Sequence, residues 1–531
     1  MNQTKKINNI TIGRGHKLSF ADCHETARNM ASVSLGKTAR RPMNVSRKIL
    51  FAAAKDFLLV YGLNTQFGGQ ANFIDHREGK IFKEYLLSLR SRQEDLVISH
   101  DCGLGENAPN DTVRATMLLR AHCLGLGYSG VRPQAVEALL LFLNKNIYPI
   151  IPKQGSVGAS GDLLPLAAVA NALQGRGRVV FKDREMSALN AMRRVGIKPF
   201  EFEMREGLAL INGTSFMTAS AALALYDVNR LFNQMLSAIG MTLESLLVFD
   251  SAYHSFVHGL KGHKGEIAVA NFMTSFWKGS KLIKNLDKVR RNAALSSKDS
   301  AGAYIDSLPQ DYYSVRSVPH GFGPMHENIK RVSEWVENEI NSVNDNPVID
   351  PNNKKIYHTA NFMGYYITDA ADIIKIDIAQ SSSWIHALVA NLVHPRKNSG
   401  LPANLISRPD TYSGFRPLQI LSASIAVQNR KLAQSQQAYM LPTEGDNQDV
   451  NSLGTHAALD LRYAVENLER LTAILFIAAC QALEFRGLVN AGKKSRSIYG
   501  KIREVSKTLR RDRSLSPDIR AVIQLMRDRK I

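Results

Sequence analysis

The sequence predicts an all-α protein whose body is a long central antiparallel helix bundle. Three stretches, residues 214–239, 365–394 and 455–486, contain neither glycine nor proline. Each stretch is far longer than an ordinary strand, so each is expected to form a long helix. Several helices of this length in one chain favour an antiparallel bundle with a long core.

Apolar periodicity in the last of these stretches supports the helical assignment. Its apolar side chains recur about every 3.6 residues, as on one face of a helix. These positions are Leu461, Val465, Leu468, Thr472 and Leu475. Gly487 follows the stretch, and glycine is common just beyond a helix end. We therefore predict a helix that ends at this glycine.

The first two hundred residues have a different character. Polar and glycine-rich loops at residues 61–69, 99–105 and 154–161 separate shorter helical runs. Loops tend to carry chemistry, while helices provide the scaffold. We therefore predict a loop-rich catalytic part over residues 1–205, followed by a long-helix body and a basic C-terminal region over residues 206–531.

Composition excludes several classes of protein. A hydrophobic fraction of 44% in 531 residues is sufficient for a large core, and a charged fraction of 21% is not that of a disordered chain. The four cysteines form no CxxC pair and are too few for a disulfide framework. No run reaches about 18 apolar residues, and the first 20 residues carry no signal-peptide core. We expect a cytoplasmic protein without a membrane span.

Positive charge is concentrated at the end of the chain. The net charge is +20, and residues 493–531 alone carry a net +9. Such a surface can bind nucleic acid or another acidic partner. No nucleic-acid-binding motif accompanies the charge, so a solvated, basic helical region is the favoured interpretation.

A glycine-rich segment at residues 155–162, GSVGASGD, is open to several interpretations. A phosphate-binding loop would end in Lys-Ser or Lys-Thr, whereas Asp162 occupies this end. The spacing is not that of a dinucleotide fingerprint or of a GxSxG nucleophile. The simplest interpretation is a turn before a helix over residues 163–173, because Pro165 suits a first helical turn.

The segment GASGD at residues 158–162 and six other segments together resemble the histidine, phenylalanine and tyrosine ammonia-lyases and their related aminomutases. The match is nearest to bacterial phenylalanine- and tyrosine-type members. The segments follow the family's order along the chain: YGLNT at 61–65, GLALINGT at 207–214, QDYYSVR at 310–316, NDNP at 344–347, NF at 361–362 and EGDNQDVNSLG at 444–454. The resemblance implies the all-α ammonia-lyase fold, an aromatic amino acid as substrate, and a homotetramer whose active sites are built from several subunits.

The resemblance also implies a cofactor made from the chain itself. In this family Ala159, Ser160 and Gly161 would cyclise to 4-methylidene-imidazol-5-one (MIO), an electrophile for the substrate amine. The residue types suit this chemistry. Gly161 offers an unhindered nitrogen and a backbone that can bend tightly. Ser160 supplies the hydroxyl that is lost.

Further roles follow from the family motifs. Tyr61 would be the base, although an ordinary tyrosine pKa of about 10 must be lowered for this task. Arg316 would hold the substrate carboxylate, because a guanidinium fork matches two oxygens. The other implied site residues hydrogen-bond the MIO or the carboxylate, orient that network, or line the substrate site: Asn212, Tyr313, Gln310, Gln448, Asn361, Phe362 and Glu444.

Selection of the substrate ring is expected at Ser99 and His100. Phenylalanine enzymes favour Phe-Leu at this pair, whereas Ser-His occurs in histidine lyases and in some tyrosine enzymes. His100 can hydrogen-bond a phenol or an imidazole. Histidine lyases usually carry glutamate where this chain has Gln448. We therefore expect deamination of tyrosine to coumarate, with phenylalanine to cinnamate next.

Three alternatives remain open at this point. The first is a histidine ammonia-lyase that gives urocanate. The second is a tyrosine or phenylalanine 2,3-aminomutase, which returns the amine to the β-carbon. The third is an inactive basic scaffold or nucleic-acid-binding protein, which the intact triplet, Tyr61 and Arg316 argue against.

Two segments of this sequence depart from the family pattern. Gln66 replaces a glycine of the tyrosine loop, and Thr359 and Ala360 replace two glycines before Phe362. These changes are expected to alter the backbone near the site.

His254 and His258 are four residues apart, but no HExxH pattern is present, so no metal site is expected.

Overall fold

The structure is a computed structural model that describes residues 9–75, 79, 81–291, 297–299, 302–304 and 310–531. Within these ranges, no helix is long and apolar enough to cross a membrane. The α-helices of the described chain are α1 Phe20–Arg28, α2 Arg40–Lys55, α3 Phe82–Ser99, α4 Asn110–Gly125, α5 Pro133–Asn144, α6 Leu163–Leu173, α7 Ala188–Val195, α8 Glu206–Ile211, α9 Ser215–Ser245, α10 Ser255–Lys261, α11 Lys264–Phe276, α12 Leu286–Arg291, α13 Tyr313–Arg316, α14 Val318–Ile340, α15 Tyr365–Val393, α16 Arg416–Leu432, α17 Gly454–Arg486, α18 Lys493–Val505 and α19 Ser516–Arg527.

The strands are all three or four residues long. They are β1 Asn9–Ile12, β2 Ser32–Leu35, β3 Leu104–Asn107, β4 Ile147–Pro149, β5 Pro152–Gln154, β6 Arg178–Phe181, β7 Arg184–Ser187, β8 Ser297–Asp299, β9 Gly302–Tyr304, β10 Val348–Asp350 and β11 Lys355–Tyr357. The pair β1–β2 is parallel, and the ladders β3–β5, β4–β6–β7, β8–β9 and β10–β11 are antiparallel. These small ladders connect helices and do not form a sheet core, so the predicted all-α class is confirmed.

The three long helices predicted from the absence of glycine and proline are α9, α15 and α17. The periodic face predicted in α17 is buried, with Leu461 and Leu468 fully inaccessible to solvent. Gly487 follows α17 with a φ of 75°, a left-handed conformation that glycine adopts easily. The predicted helix over residues 163–173 is α6, which begins directly after Asp162.

The chain forms two compact units, each assembled from three segments. The first unit comprises Met1–Tyr226, Val332–Asp372 and Ser435–Arg462. The second unit comprises Asp227–Arg331, Ile373–Gln434 and Tyr463–Ile531. The boundary predicted between residues 205 and 206 stays a prediction.

The core of the first unit surrounds α4, which is buried along its whole length from Thr112 to Gly125. A second apolar cluster includes Leu50, Tyr85, Leu89 and Ile349. This dense packing gives the loops of the first unit a rigid base. Burial of a single large apolar side chain contributes about 1.5–3 kcal/mol.

The basic C-terminal region of the second unit is helical, as predicted. Several of its cations are held by carboxylates of the same unit. Arg503 donates to Glu484 at 2.7 Å, and Arg527 donates to Glu469 at 2.9 and 2.7 Å. Part of the excess charge therefore serves internal ion pairs.

Candidate active site

The Ala159-Ser160-Gly161 triplet lies in a turn between β5 and α6 of the first unit. Gly161 has a φ of +71°, and a Cβ atom there would lie 2.2 Å from the carbonyl carbon of Gly213. The amide of Asp162 donates to the carbonyl oxygen of Gly213 at 2.8 Å. Only glycine fits this close approach without displacing the backbone at Gly213.

Asp162 anchors this turn to the N-terminus of α9. Its carboxylate is buried and accepts hydrogen bonds from the amides of Phe216 at 3.0 Å and Met217 at 2.9 Å, as well as from the Thr455 hydroxyl. Burial raises the pKa of Asp162 to about 6, although these hydrogen bonds favour the ionised form. The positive end of the helix dipole also stabilises a negative charge at this position.

The turn faces a cavity of about 390 Å³ in the first unit. Ala159 and Ser160 form part of its wall, and the Nε2 atom of Gln448 lies 3.4 Å from the Ser160 hydroxyl. Ser160 therefore presents its side chain to a space of substrate size, while Gly161 supplies a bent, unhindered backbone. The triplet fits the MIO group that the resemblance implies.

Eight of the predicted site residues meet at this cavity. They are Tyr61, His100, Ala159, Ser160, Asn212, Phe362, Glu444 and Gln448. Three further predicted residues are their direct chain neighbours. These are Ser99 beside His100, Gly161 in the turn, and Asn361 beside Phe362. The side-chain amide of Asn361 donates to the Val343 carbonyl at 3.0 Å.

Tyr61 is held at both its backbone and its hydroxyl. Its amide donates to Nε2 of His358 at 3.1 Å, and its hydroxyl accepts from the amide of Gly68 at 2.8 Å. Burial raises the pKa of the Tyr61 hydroxyl, and the charge of Glu444 raises it further. The Gly68 hydrogen bond and the charge of Arg205 oppose this rise without cancelling it, so the lowering of the pKa that a base near neutral pH needs is not present within the described part of this chain.

Asn212 is positioned by a buried ionic network. Arg205 donates to both carboxylate oxygens of Asp345, at 2.9 and 3.0 Å. Asn212 donates to the same carboxylate at 3.2 Å and to the Asn346 carbonyl at 3.1 Å. A fully buried pair of this kind holds its neighbours in one arrangement, because breaking it would leave an unpaired charge in the core.

His100 lies at the C-terminal end of α3, and its ring is oriented by its own helix. Nδ1 of the ring lies 2.8 Å from the Leu96 carbonyl oxygen, and Leu96 also lines the cavity. The loop that follows His100 leads into β3, which pairs with β5 directly before the triplet. This pairing links the predicted ring-selecting loop to the predicted cofactor turn.

The other three predicted residues, Gln310, Tyr313 and Arg316, belong to the second unit. Gln310 and Arg316 line a different cavity, of about 1020 Å³. Tyr313 is 74% exposed, and the Arg316 guanidinium lies 4.6 Å from the centre of its ring. Within one chain, the structure therefore does not bring these residues into the wall of the Ser160 cavity.

The two departures from the family pattern have clear local consequences. Gln66 has a negative φ and its amide donates to the Phe73 carbonyl at 2.7 Å, so this position does not require glycine. The amide of Thr359 donates to the Asn346 side chain at 2.7 Å, and its hydroxyl donates to the Asp345 carbonyl at 3.1 Å. Thr359 thus fixes the backbone before Phe362 with a side-chain contact.

Sequence reasoning missed several residues that shape the site. His358 supports Tyr61, Thr443 donates to the side-chain oxygen of Gln448 at 2.8 Å, and Leu163 and Leu208 form part of the apolar wall. Leu163 directly follows the GASGD segment and could have been found by extending it. Nothing in the sequence pairs His358 or Thr443 with its partner.

Comparisons with known proteins show which family this chain resembles. A family model described as "Aromatic amino acid lyase" matches residues 18–504. A histidine ammonia-lyase of Geobacillus sp. (strain WCH70) is 33% identical over 98% of this chain and 96% of its own. Among solved structures, the phenylalanine aminomutase of Pantoea agglomerans matches with a TM-score of 0.90 at 30% identity, over 97% of this chain and 98% of its own. The tyrosine aminomutase of Streptomyces globisporus matches with a TM-score of 0.90 at 28% identity, over 98% of this chain and 97% of its own.

The predicted family is therefore confirmed over nearly the whole chain. Enzymes of this family use the MIO group, and the triplet, the cavity and the tyrosine loop occupy one unit of this structure. The chain belongs to the aromatic amino acid lyase family of carbon–nitrogen lyases.

Proposed function

We propose that this protein is an aromatic amino acid ammonia-lyase that prefers tyrosine and releases coumarate and ammonia. The observation that carries this preference is the arrangement of the His100 ring. Its Nδ1 atom lies 2.8 Å from the Leu96 carbonyl oxygen, which only accepts hydrogen bonds. The proton of the neutral ring is therefore on Nδ1, and Nε2 is left as an acceptor.

A free acceptor in the ring site favours a phenol over a phenyl ring. Among the described residues, no hydrogen bond to Nε2 of His100 is present. The hydroxyl of tyrosine can donate to this atom, whereas the ring of phenylalanine offers no donor. A site built to bond a hydroxyl disfavours an analogue that lacks it, because its own polar group is then left unpaired.

Gln448 argues against histidine as the preferred substrate. The resemblance implies a glutamate at this position in histidine lyases. Here the side-chain oxygen of Gln448 accepts from Thr443, and its amide nitrogen faces Ser160. An imidazole substrate would meet a neutral amide whose acceptor is already engaged. Histidine ammonia-lyase activity nevertheless remains the second candidate, because curated relatives at 33% identity carry that name.

The residues of the chain divide the chemistry between them. We propose that Ala159, Ser160 and Gly161 form MIO, which supplies an electrophile for the substrate amine. Tyr61, once ionised, accepts the β-proton at its phenolate oxygen. Arg316 holds the substrate carboxylate. The resemblance implies that Arg316 reaches the site from another subunit of a homotetramer.

Kinetics on tyrosine, phenylalanine and histidine test the proposed substrate. The wild-type kcat/KM is expected to be highest for tyrosine. Replacing Ser99 and His100 by Phe and Leu removes the polar partner and adds apolar contact, so phenylalanine should then be preferred. The free-energy difference that corresponds to the preference for tyrosine over phenylalanine in kcat/KM should change by about 1–3 kcal/mol, the cost of one unpaired buried group.

The exposed His456 supplies a matched control, because His456→Leu also removes an imidazole of the first unit. This variant should keep the wild-type order of substrates. Good turnover of histidine with none of tyrosine would contradict the proposal. Recovery of β-tyrosine in place of coumarate would assign the chain to the aminomutases, which the two structural neighbours make the third candidate.

A further inference from the structure

Three helices of the second unit bring together two histidines and a glutamate. His258 comes from α10, Glu266 from α11 and His320 from α14. Nδ1 of His258 lies 2.8 Å from Oε1 of Glu266, and Nε2 of His320 lies 3.2 Å from the same oxygen. The candidate ligand atoms of all three residues lie within 4.8 Å of one another. The His254–His258 pair considered from the sequence is not this cluster.

The hydrogen bonds of His258 direct one ring nitrogen toward Glu266. Its Nε2 atom lies 3.0 Å from the Ala252 carbonyl oxygen, so Nε2 carries the proton. Nδ1 faces Oε1 of Glu266, and a bound cation would take the position of the proton that lies between these two atoms. Histidines that bind metals usually donate their other ring N–H to a carbonyl or a carboxylate in this way. His258 and Glu266 are both buried, which limits their motion.

The geometry points to a zinc-type divalent cation site formed by Nδ1 of His258, the carboxylate of Glu266 and Nε2 of His320. Two imidazoles and one carboxylate are a ligand set that Zn²⁺ accepts, with a fourth position left for water or another group. Adjacent space exists, because Glu266 and His320 line a cavity of about 300 Å³. His263 and Glu327 line this cavity as well.

A metal-free ion-pair cluster is the competing interpretation. Lys261 lies 3.7 Å from Oε2 of Glu266, and its side chain is 52% exposed. An exposed lysine on a flexible stem can leave the carboxylate when a cation binds. A bound cation would replace Lys261 as the counter-charge and would join three helices.

Zinc binding to the purified full-length chain tests this site. We expect about one Zn²⁺ per chain by elemental analysis after loading and gel filtration. His320→Gln and Glu266→Gln should weaken Zn²⁺ binding by ~10-fold or more, measured in competition with a chromophoric chelator. Substitutions of residues that only hydrogen-bond a metal ligand already have effects of this size. His326→Gln, an exposed histidine on the same helix, is the matched control and should bind as wild type does.

Two further measurements guard against variants that fail to fold. Zn²⁺ should raise the melting temperature of the wild type but not of His320→Gln, because a ligand that binds only the folded state stabilises it. Lys261→Ala changes an exposed residue and removes the competing cation, so it should strengthen Zn²⁺ binding. Equal Zn²⁺ affinity in wild type and His320→Gln, or weaker binding by Lys261→Ala, would overturn the proposal.

Discussion

The turn that carries Ser160 and the short helix α13 that carries Tyr313 and Arg316 were both predicted to supply chemistry, yet they are built differently. The turn is enclosed. A side chain at Gly161 would overlap the backbone of Gly213, and Asp162 is fully buried. In α13, by contrast, Tyr313 is 74% exposed. The first region is enclosed within its own unit, whereas the second presents Tyr313 to the surface and leaves Arg316 half-buried.

The backbone of α13 is nevertheless well anchored in the second unit. Trp384 donates from its ring nitrogen to the Ser314 carbonyl at 2.7 Å, and Asn391 donates to the Ser314 hydroxyl at 2.9 Å. Arg316 donates to the Asp311 carbonyl at 3.1 Å. The backbone of α13 is therefore fixed, while the Tyr313 side chain is exposed and the Arg316 side chain is half-buried.

Ser160→Ala should have the largest effect, because it removes the hydroxyl that MIO formation requires. We expect turnover to disappear, and the intact mass of the variant to match its sequence. The wild type should be lighter than its sequence by two water molecules. Ser407→Ala, a change at an exposed serine, should keep both the activity and the mass deficit. A wild type that is active at its full sequence mass would refute the proposed MIO group.

Tyr61→Phe should follow in size. The ring keeps its place, but the hydroxyl that accepts from Gly68, the proposed base, is lost. A positioned base contributes about 10²–10⁴-fold, so kcat should fall by that factor while the mass deficit of two waters stays. Tyr463→Phe, at an exposed tyrosine, should change neither quantity. Near wild-type kcat in Tyr61→Phe would exclude Tyr61 as the base.

Arg316→Lys tests the α13 region. The lysine ammonium is a point charge, whereas the guanidinium donates to two carboxylate oxygens, so kcat/KM should fall. The loss of transition-state stabilisation should be about 1.5–3 kcal/mol, the range for hydrogen bonds to charged groups. Arg290 lines the same cavity and is exposed, so Arg290→Lys is the matched control and should have little effect.

Arg316 also permits a test of whether one active site takes residues from two subunits. Co-expression of Ser160→Ala and Arg316→Ala chains should restore a fraction of the activity if each active site takes its triplet and its arginine from different subunits. Each variant expressed alone should remain inactive or nearly so. Absence of any recovery in assemblies shown to be mixed would mean that one chain supplies both groups.

The sequence predicts features within one helix or one motif better than contacts between residues far apart in the chain. The absence of glycine and proline predicted α9, α15 and α17, and Pro165 in a first turn predicted α6, because these signals act within one helix. Motif resemblance brought Tyr61, Ser160 and Gln448 to one site. The partners of these residues were beyond reach, because the contact of His358 with Tyr61 joins residues far apart in the chain.

The enclosed region makes one subtler prediction, which concerns pH. Burial raises the pKa of the Tyr61 hydroxyl, and the negative charge of Glu444 raises it further. The base acts as a phenolate, so kcat/KM should rise with pH toward a limb above the ordinary tyrosine pKa of about 10. Glu444→Gln removes a charge that repels the phenolate, so the limb should move to lower pH. Asp446→Asn, in the same loop and exposed, should leave it unchanged, and asparagine tolerates the positive φ of this position. A limb that moves to higher pH in Glu444→Gln, or equally in both variants, would show that Glu444 does not act on Tyr61 through its charge.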